Sequence, residues 1–348
     1  MNAPSLKAPT TNLAAPSSAP SGSSTPPRPR RRLAYPGERA LRNVVVGVVV
    51  LFIVVLLLVP IGIAAVGSLH LWNPLNGTFD FTGLANYRRL FSDQEFWTSS
   101  VNTLVFGSVA IVGRLVLGLA LAYALYSKMT RCKTFFRAVF YMPTVTPLVA
   151  VAYVWQLMYN PRFGAINTFF GLDINWLLDS RYAMGAILVM TIWKDFGYAV
   201  ILFLAGLYAV PDDVLEAAAV DGANAWTRFR RIIVPLLAPM TLFIAVTSTI
   251  GYLQAFVQVL VLTDGGPGTS TRLISFMIYD EAFVNYNFGY ASAIAFVLLL
   301  FTAILTWLNF RVSAGSGVRA PRRRRRPPAQ TVAPTKPTRS DSPAAVSR

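Results

Sequence analysis

Between Glu216 and Pro235 the chain reads EAAAVDGANAWTRFRRIIVP, a polar-and-small interruption set between two strongly apolar runs. Pro211 suits a first helical turn, and Asp212, Asp213 and Glu216 place negative charge where a helix N-terminus favours it. Leu215, Ala218, Ala219 and Gly222 then fall at helical spacing and predict a narrow face of small side chains, fit for close packing in a groove. Gly222 ends or bends this helix, a second short helix carries Trp226 and Phe229, and Pro235 marks the turn into the next apolar run. The chemistry is docking rather than catalysis. An amphipathic helix lying on lipid is the bland alternative, but such a helix wants bulky apolar residues and Lys or Arg, where this one offers Ala and acids.

A second constellation lies inside an apolar run. Thr247, Gly251, Gln254 and Gln258 recur at spacings of 4, 3 and 4, which places them on one face of a continuous helix. Amides both donate to and accept from sugar hydroxyls, and the neighbouring Tyr252 and Phe256 offer rings to stack on a pyranose. Polar glue between membrane helices is the competing reading. Arg114, Lys194 and Asp195 also fall near the middles of apolar runs, where each costs about 2.5 to 3.5 kcal/mol on insertion scales and so needs a partner or water. Lys194 and Asp195 are neighbours in sequence and point apart, so an Arg114 to Asp195 contact between helices is expected, with an ion relay as the functional alternative.

No catalytic or metal-binding set accompanies these residues. The chain has one His, His70, and one Cys, Cys132, which leaves no multi-ligand Cys/His metal site and little for an intramembrane enzyme to use. No G-x-x-x-x-G-K-[ST] run is present, and GGPG at Gly265 lacks the Lys and following helix of a phosphate cradle, so it reads as a turn or a plain flexible loop.

The elements that position these residues follow from composition. Of 348 residues 54% are hydrophobic and only 13% charged, and mean hydropathy is +0.51, which indicates a membrane protein. The charges gather in the termini and a few loops. Six apolar runs, 44–66, 101–126, 138–159, 183–210, 236–263 and 290–310, are each long enough to cross about 30 Å of hydrocarbon. The first exceeds a typical signal-peptide core and reads as an anchor. Pro143 and Pro147 should kink the third. The expected fold is therefore an all-α integral membrane protein of six transmembrane helices, spanning 44–311, with basic tails at 1–43 and 312–348 whose Ala, Pro, Ser and Arg content reads as disordered.

Net charge is +16, and the PRRRRRP run at 321–327 looks at first like a nucleic-acid tract. It follows closely on the last apolar run, where Arg clusters instead hold a helix end beside anionic lipid. The first 43 residues carry seven basic side chains against one acidic, and 127–137 adds Lys128, Arg131, Lys133 and Arg137. The loops at 68–100, 160–182 and 264–289 carry no such excess. The positive-inside rule then puts both termini in the cytoplasm.

The Glu216 stretch resembles the EAA signature of permease subunits in bacterial ABC importers: EAA, three residues, Gly, nine residues, then I-x-L-P. Glu216, Ala217, Ala218, Gly222, Ile232 and Pro235 match, and Val234 departs from the usual Leu. The runs NYRRLF at Asn86, AGLYAVPDDVLEAAAVDGA at Ala205, VLTDGGPGTST at Val261 and GYASAIAFVL at Gly289 extend the resemblance over about 86–310, within the carbohydrate-uptake branch. The resemblance implies a coupling helix between spans four and five that docks on an ATPase, with Asp221 among its residues, and a GGPG loop facing an extracytoplasmic sugar-binding protein. It further implies a second permease subunit, two ATP-binding subunits carrying ATP and Mg, no cofactor held by this chain, and a place in the bacterial cell membrane. Glycerol phosphate is an alternative cargo. A secondary transporter is disfavoured because no internal repeat and only one membrane acid are visible.

Overall fold

The computed structural model describes residues 36–127 and 132–315. The expected tails fall outside these except for 36–43 and 312–315, which continue the first and last helices; Lys128 and Arg131 also lie outside. The chain divides into two compact units, Met1–Pro60 and Ile61–Arg348. In the first, α1 (Pro36–Ile53) passes through a π-helical turn at Val54–Leu58 into α2 (Val59–Gly67), which runs on into the second.

The second unit continues with a hairpin, β1 (His70–Asn73) paired antiparallel with β2 (Thr78–Phe81) from His70↔Phe81 to Asn73↔Thr78. Helices α3 (Ala85–Ser92), α4 (Gln94–Tyr126), α5 (Lys133–Val145), α6 (Leu148–Met158), α7 (Ala165–Phe170) and α8 (Ala183–Tyr208) follow. Next come α9 (Asp212–Val220), α10 (Ala225–Arg228), α11 (Val234–Leu236), α12 (Ala238–Leu253), α13 (Val257–Leu262), α14 (Ile274–Tyr279) and α15 (Phe288–Gly315).

Among the described residues four stretches are long and apolar enough to cross a membrane by themselves: Ala40–Gly67, Gln94–Tyr126, Ala183–Tyr208 and Phe288–Arg311. Two bent pairs bring the number to six if each counts as one span: α5 with α6, bent by 97°, and Ala225–Leu236 with α12, bent by 62°. The expected kink has a local cause. Pro147 forces Thr146 out of the helical region, to ψ 137°, and cannot donate to the helix that precedes it, whereas Pro143 is accommodated inside α5. The second bend sits at Leu237, two residues beyond the expected turn at Pro235, which lies inside α11.

Helix α8 packs against α4, α5 and α12. Small residues let its neighbours come close: a Cβ on Gly118 of α4 would stand 2.6 Å from the Ala199 Cβ, and one on Gly197 would overlap the Phe140 carbonyl oxygen of α5. Near the start of α4, Arg272 pairs with Glu95 and Asp280, while the buried Glu281 accepts from Asn287 at 3.0 Å and lies 3.7 Å from Arg89. The GGPG loop is tied in rather than loose. Thr271 donates to the Gly266 carbonyl at 2.7 Å, and Asn102 of α4 donates to the carbonyls of Thr269 and Arg272.

The Gly197 contact makes a prediction. Gly197→Ala should wedge α5 from α8 and destabilise the protein by about 1 to 3 kcal/mol, as overpacking does. Gly185→Ala, on the same helix but with nothing within 4 Å, should leave the unfolding midpoint in detergent unchanged. Equal midpoints for the two variants would contradict the close approach.

Candidate functional site

The EAA stretch folds as two short helices joined at Gly222. Pro211 serves as the N-cap of α9 rather than its first turn, and Gly222 adopts φ +80°, so that the Ala223 amide donates back to the Ala218 carbonyl at 2.9 Å. This is the left-handed stop that Gly makes at little cost. Asn224 caps the second helix by accepting from the Thr227 amide at 2.8 Å. That helix runs from Ala225 through a π-helical turn at Phe229–Ile233 to Leu236, with the Trp226 and Phe229 rings stacked at 5.7 Å.

The expected small-residue face is divided. Leu215 and Ala218 turn inward, Leu215 against a cluster containing Phe203, Leu207 and Leu237, while Ala219 and Gly222 remain exposed. The surface left free instead holds Asp213, Glu216, Ala217 and Val220, at helical spacing 3, 1 and 3, with Asp221 beside them. Val220 is 89% exposed and Trp226 66%, so the free surface has two large apolar side chains that the small-residue reading missed. Ile232 is half-buried in the π-helical turn, and Pro235 is exposed within α11.

The stripe in the fifth apolar run is shorter than its spacing implied. Helix α12 stops at Leu253, and Gln254, Ala255 and Phe256 interrupt it before α13 begins. Thr247, Gly251 and Gln254 keep one exposed face. Gln258 does not share it: its side chain is buried, and its Oε1 finds no hydrogen-bond donor among the described residues. Tyr252 is also buried, turned inward to donate to Asp195 Oδ2 at 3.1 Å, and so is not placed for stacking on a ligand. Phe256 packs against Tyr279 and Phe276.

The three membrane charges meet, though not in the expected pairing. Lys194 Nζ lies 3.9 Å from Asp195 Oδ1 and donates to the Thr144 carbonyl at 3.3 Å. Arg114 donates to Ser248 Oγ at 2.9 Å and lies over the rings of Tyr198 and Tyr252, 5.3 and 6.0 Å from their centroids. Tyr252 therefore stands between Arg114 and Asp195. The long Lys194 stem explains the neighbour pair, since it can fold back although the two Cβ atoms point apart. Ser248, Tyr198 and Thr144 complete this network and were not singled out from the sequence; each lies on a helix adjoining one of the charges. Among the described residues no group of three or more His, Cys, Asp or Glu could hold a metal.

Comparison with known proteins agrees with this architecture. The family described as binding-protein-dependent transport system inner membrane component matches residues 114–315. A probable ABC transporter permease of Pyrococcus horikoshii is 38% identical over 240 residues, covering 67% of this chain and 82% of that protein. The multiple sugar-binding transport system permease of Streptococcus mutans is 34% identical over 245 residues, covering 70% and 84%. A membrane chain in the crystal structure of a bacterial alginate ABC transporter, crystallised with a periplasmic protein bound to an alginate pentasaccharide, shares the fold. Its TM-score is 0.69 at 19% identity, with 80% of this chain and 95% of that one covered. The chain thus belongs to the family of inner-membrane components of binding-protein-dependent transport systems.

Proposed function

We propose that this permease forms half of a membrane pathway for a sugar, a mono-, di- or oligosaccharide delivered by a binding protein outside the membrane. The observation that carries the cargo class is the exposed face of α12. Gln254 offers an amide that both donates and accepts, Thr247 a hydroxyl oxygen free to accept while its proton is held by the Phe243 and Ile244 carbonyls, and Gly251 leaves open space between them, a set that suits hydroxyl groups and carries no charge. The similarity to a permease of a multiple sugar-binding system supports the same class. A glycerol phosphate cargo would want free cations beside that face. Lys194 lies 3.9 Å from Asp195, and Arg114 is engaged by Ser248 and two rings, which favours a neutral cargo.

In this reading a second permease subunit completes the pathway, and two ATP-binding subunits carry ATP and Mg. The free surface of Glu216, Ala217 and Val220 is the coupling contact, Glu216 being its charged anchor. ATP closing its subunits would drag this surface and swing the spans as rigid bodies between inward-facing and outward-facing states. The excess of basic residues in both tails supports, through the positive-inside rule, both termini lying in the cytoplasm of a bacterial cell.

Two experiments test these assignments in proteoliposomes holding the whole complex. Gln254→Ala should lower sugar uptake by about threefold to tenfold, the loss of one or two hydrogen bonds of about 0.5 to 1.5 kcal/mol each, with folding unchanged. The buried Gln258→Leu should instead move the unfolding midpoint and leave cargo preference alone; unchanged uptake in Gln254→Ala removes the α12 face from the pathway. Glu216→Lys alters an exposed side chain, so stability should stay within about 0.5 kcal/mol of wild type. Sugar-stimulated ATPase activity should collapse, and normal uptake in that variant would refute the coupling role.

A further inference from the structure

Behind the coupling surface lies a cavity of about 600 Å³ that the transport reading does not use. Tyr123 and Tyr126 of α4, Lys133 of α5, Tyr208 of α8, Asp212 of α9 and Arg228 of α10 line it. The first residues of α5, α9 and α10 and the last residues of α4 and α8 border this space, so the partial charges of the helix ends nearly cancel and side chains set its sign. Among the described lining residues two cations stand against one carboxylate, giving a net positive site.

Those cations are under-used. Among the described residues Lys133 has one acceptor, the Tyr126 carbonyl at 3.3 Å, for its three donors. Arg228 is half-buried, and its guanidinium has neither a hydrogen bond nor an ion pair with any described residue. A partly desolvated guanidinium without an acceptor is costly, and a planar fork of donors matches phosphate oxygens well. Tyr208 receives a hydrogen bond from Arg137 at 2.8 Å, which leaves its own proton free to donate.

We propose that this cavity binds an anionic phosphate group, held by Arg228 and Lys133 with tyrosine hydroxyls as further donors. The site lies where α4 and α8 reach the ends of their membrane-spanning stretches, so an anionic phospholipid headgroup and a soluble phosphate ester share the required chemistry. Asp212 disfavours a doubly charged ligand that brings no cation of its own. Leu215 of α9 forms part of the wall, so occupancy would also brace the coupling helix from behind.

The inference goes beyond the transport reading and is tested by binding alone. The full chain is purified in mild detergent, and its unfolding midpoint is read with phosphatidylglycerol, with phosphatidylcholine, and with inorganic phosphate against chloride at equal ionic strength. Phosphatidylglycerol or phosphate should raise the midpoint by several degrees, and phosphatidylcholine should raise it less. Arg228→Gln and Lys133→Gln should each reduce the shift, and the double variant should abolish it. Arg231→Gln, on the exposed neighbour outside the cavity, should keep it, and Arg228→Lys should retain most of it, which separates lost binding from misfolding. A shift with phosphatidylglycerol alone assigns the headgroup, and an equal shift with phosphate assigns a soluble ester. No shift in the wild type, or a full shift in the double variant, overturns the site.

Discussion

Apolar helices in hydrocarbon gain little by touching one another, because lipid chains solvate them as well as a neighbouring helix does. Their association depends on close backbone approach and on polar bonds. Helix α8 supplies both. More than half of its most apolar stretch, 56%, is buried, against 22% for α4 and 28% for α15, and α4, α5 and α12 pack against it. Ala199 meets Gly118 of α4, Gly197 meets the backbone of α5, and Gly206 meets Leu237 at the bend before α12. Asp195 adds a polar tie to α12 through Tyr252. Small residues at these crossings are therefore a packing requirement.

The broken helices raise a second demand. A carbonyl released from its helical partner inside a membrane must find another donor, since no lipid can supply one. The break at Pro147 frees the Thr144 carbonyl, and Lys194 of α8 donates to it while Thr144 returns a hydrogen bond to the Lys194 carbonyl. After α12 stops, Ser275 reaches the Leu253 carbonyl at 3.4 Å, and near the end of α13 Gln156 donates to the Val261 carbonyl at 3.1 Å. A lysine in mid-span thus has a structural reason that needs no ion relay. It satisfies a break in the adjacent span and balances its neighbour Asp195.

The sequence disclosed what local chemistry decides. Pro147 marked the break in the third span, and the acids after Pro211 with Gly222 bracketed α9, because proline, charge and glycine act on the backbone within a turn. The stop of α12 was hidden. No Gly or Pro stands at 252–256, so the spacing of Gln254 and Gln258 carried the helical period across a gap that no local signal marks. Tyr252 was misassigned for the same reason: Asp195, 57 residues away, turns it inward. The hairpin at 70–81 was passed over between two long apolar runs, although Asn76-Gly77 is a turn signal and Gly77 does adopt φ +67°.

Under the coupling reading, the geometry around α9 also decides how force would travel. Only Ala209, Val210 and Pro211 separate the end of α8 from the start of α9, a link of at most about 14 Å from Tyr208 to Asp212 at full extension. Leu215, on the inner face, packs against the cluster that joins Leu207 of α8 to Leu237 at the head of α12, and Phe229 packs there too. An outward pull on Glu216 or Val220 would therefore load the ends of α8 and α12 together rather than unwind α9 alone. Those helices are tied again where Tyr252, next to last in α12, donates to Asp195 in the middle of α8, close in sequence to the Gln254 end of the exposed polar face. A displacement applied at the coupling helix would consequently arrive at the α12 face as a joint movement of two spans, as a rigid-body mechanism of alternating access requires.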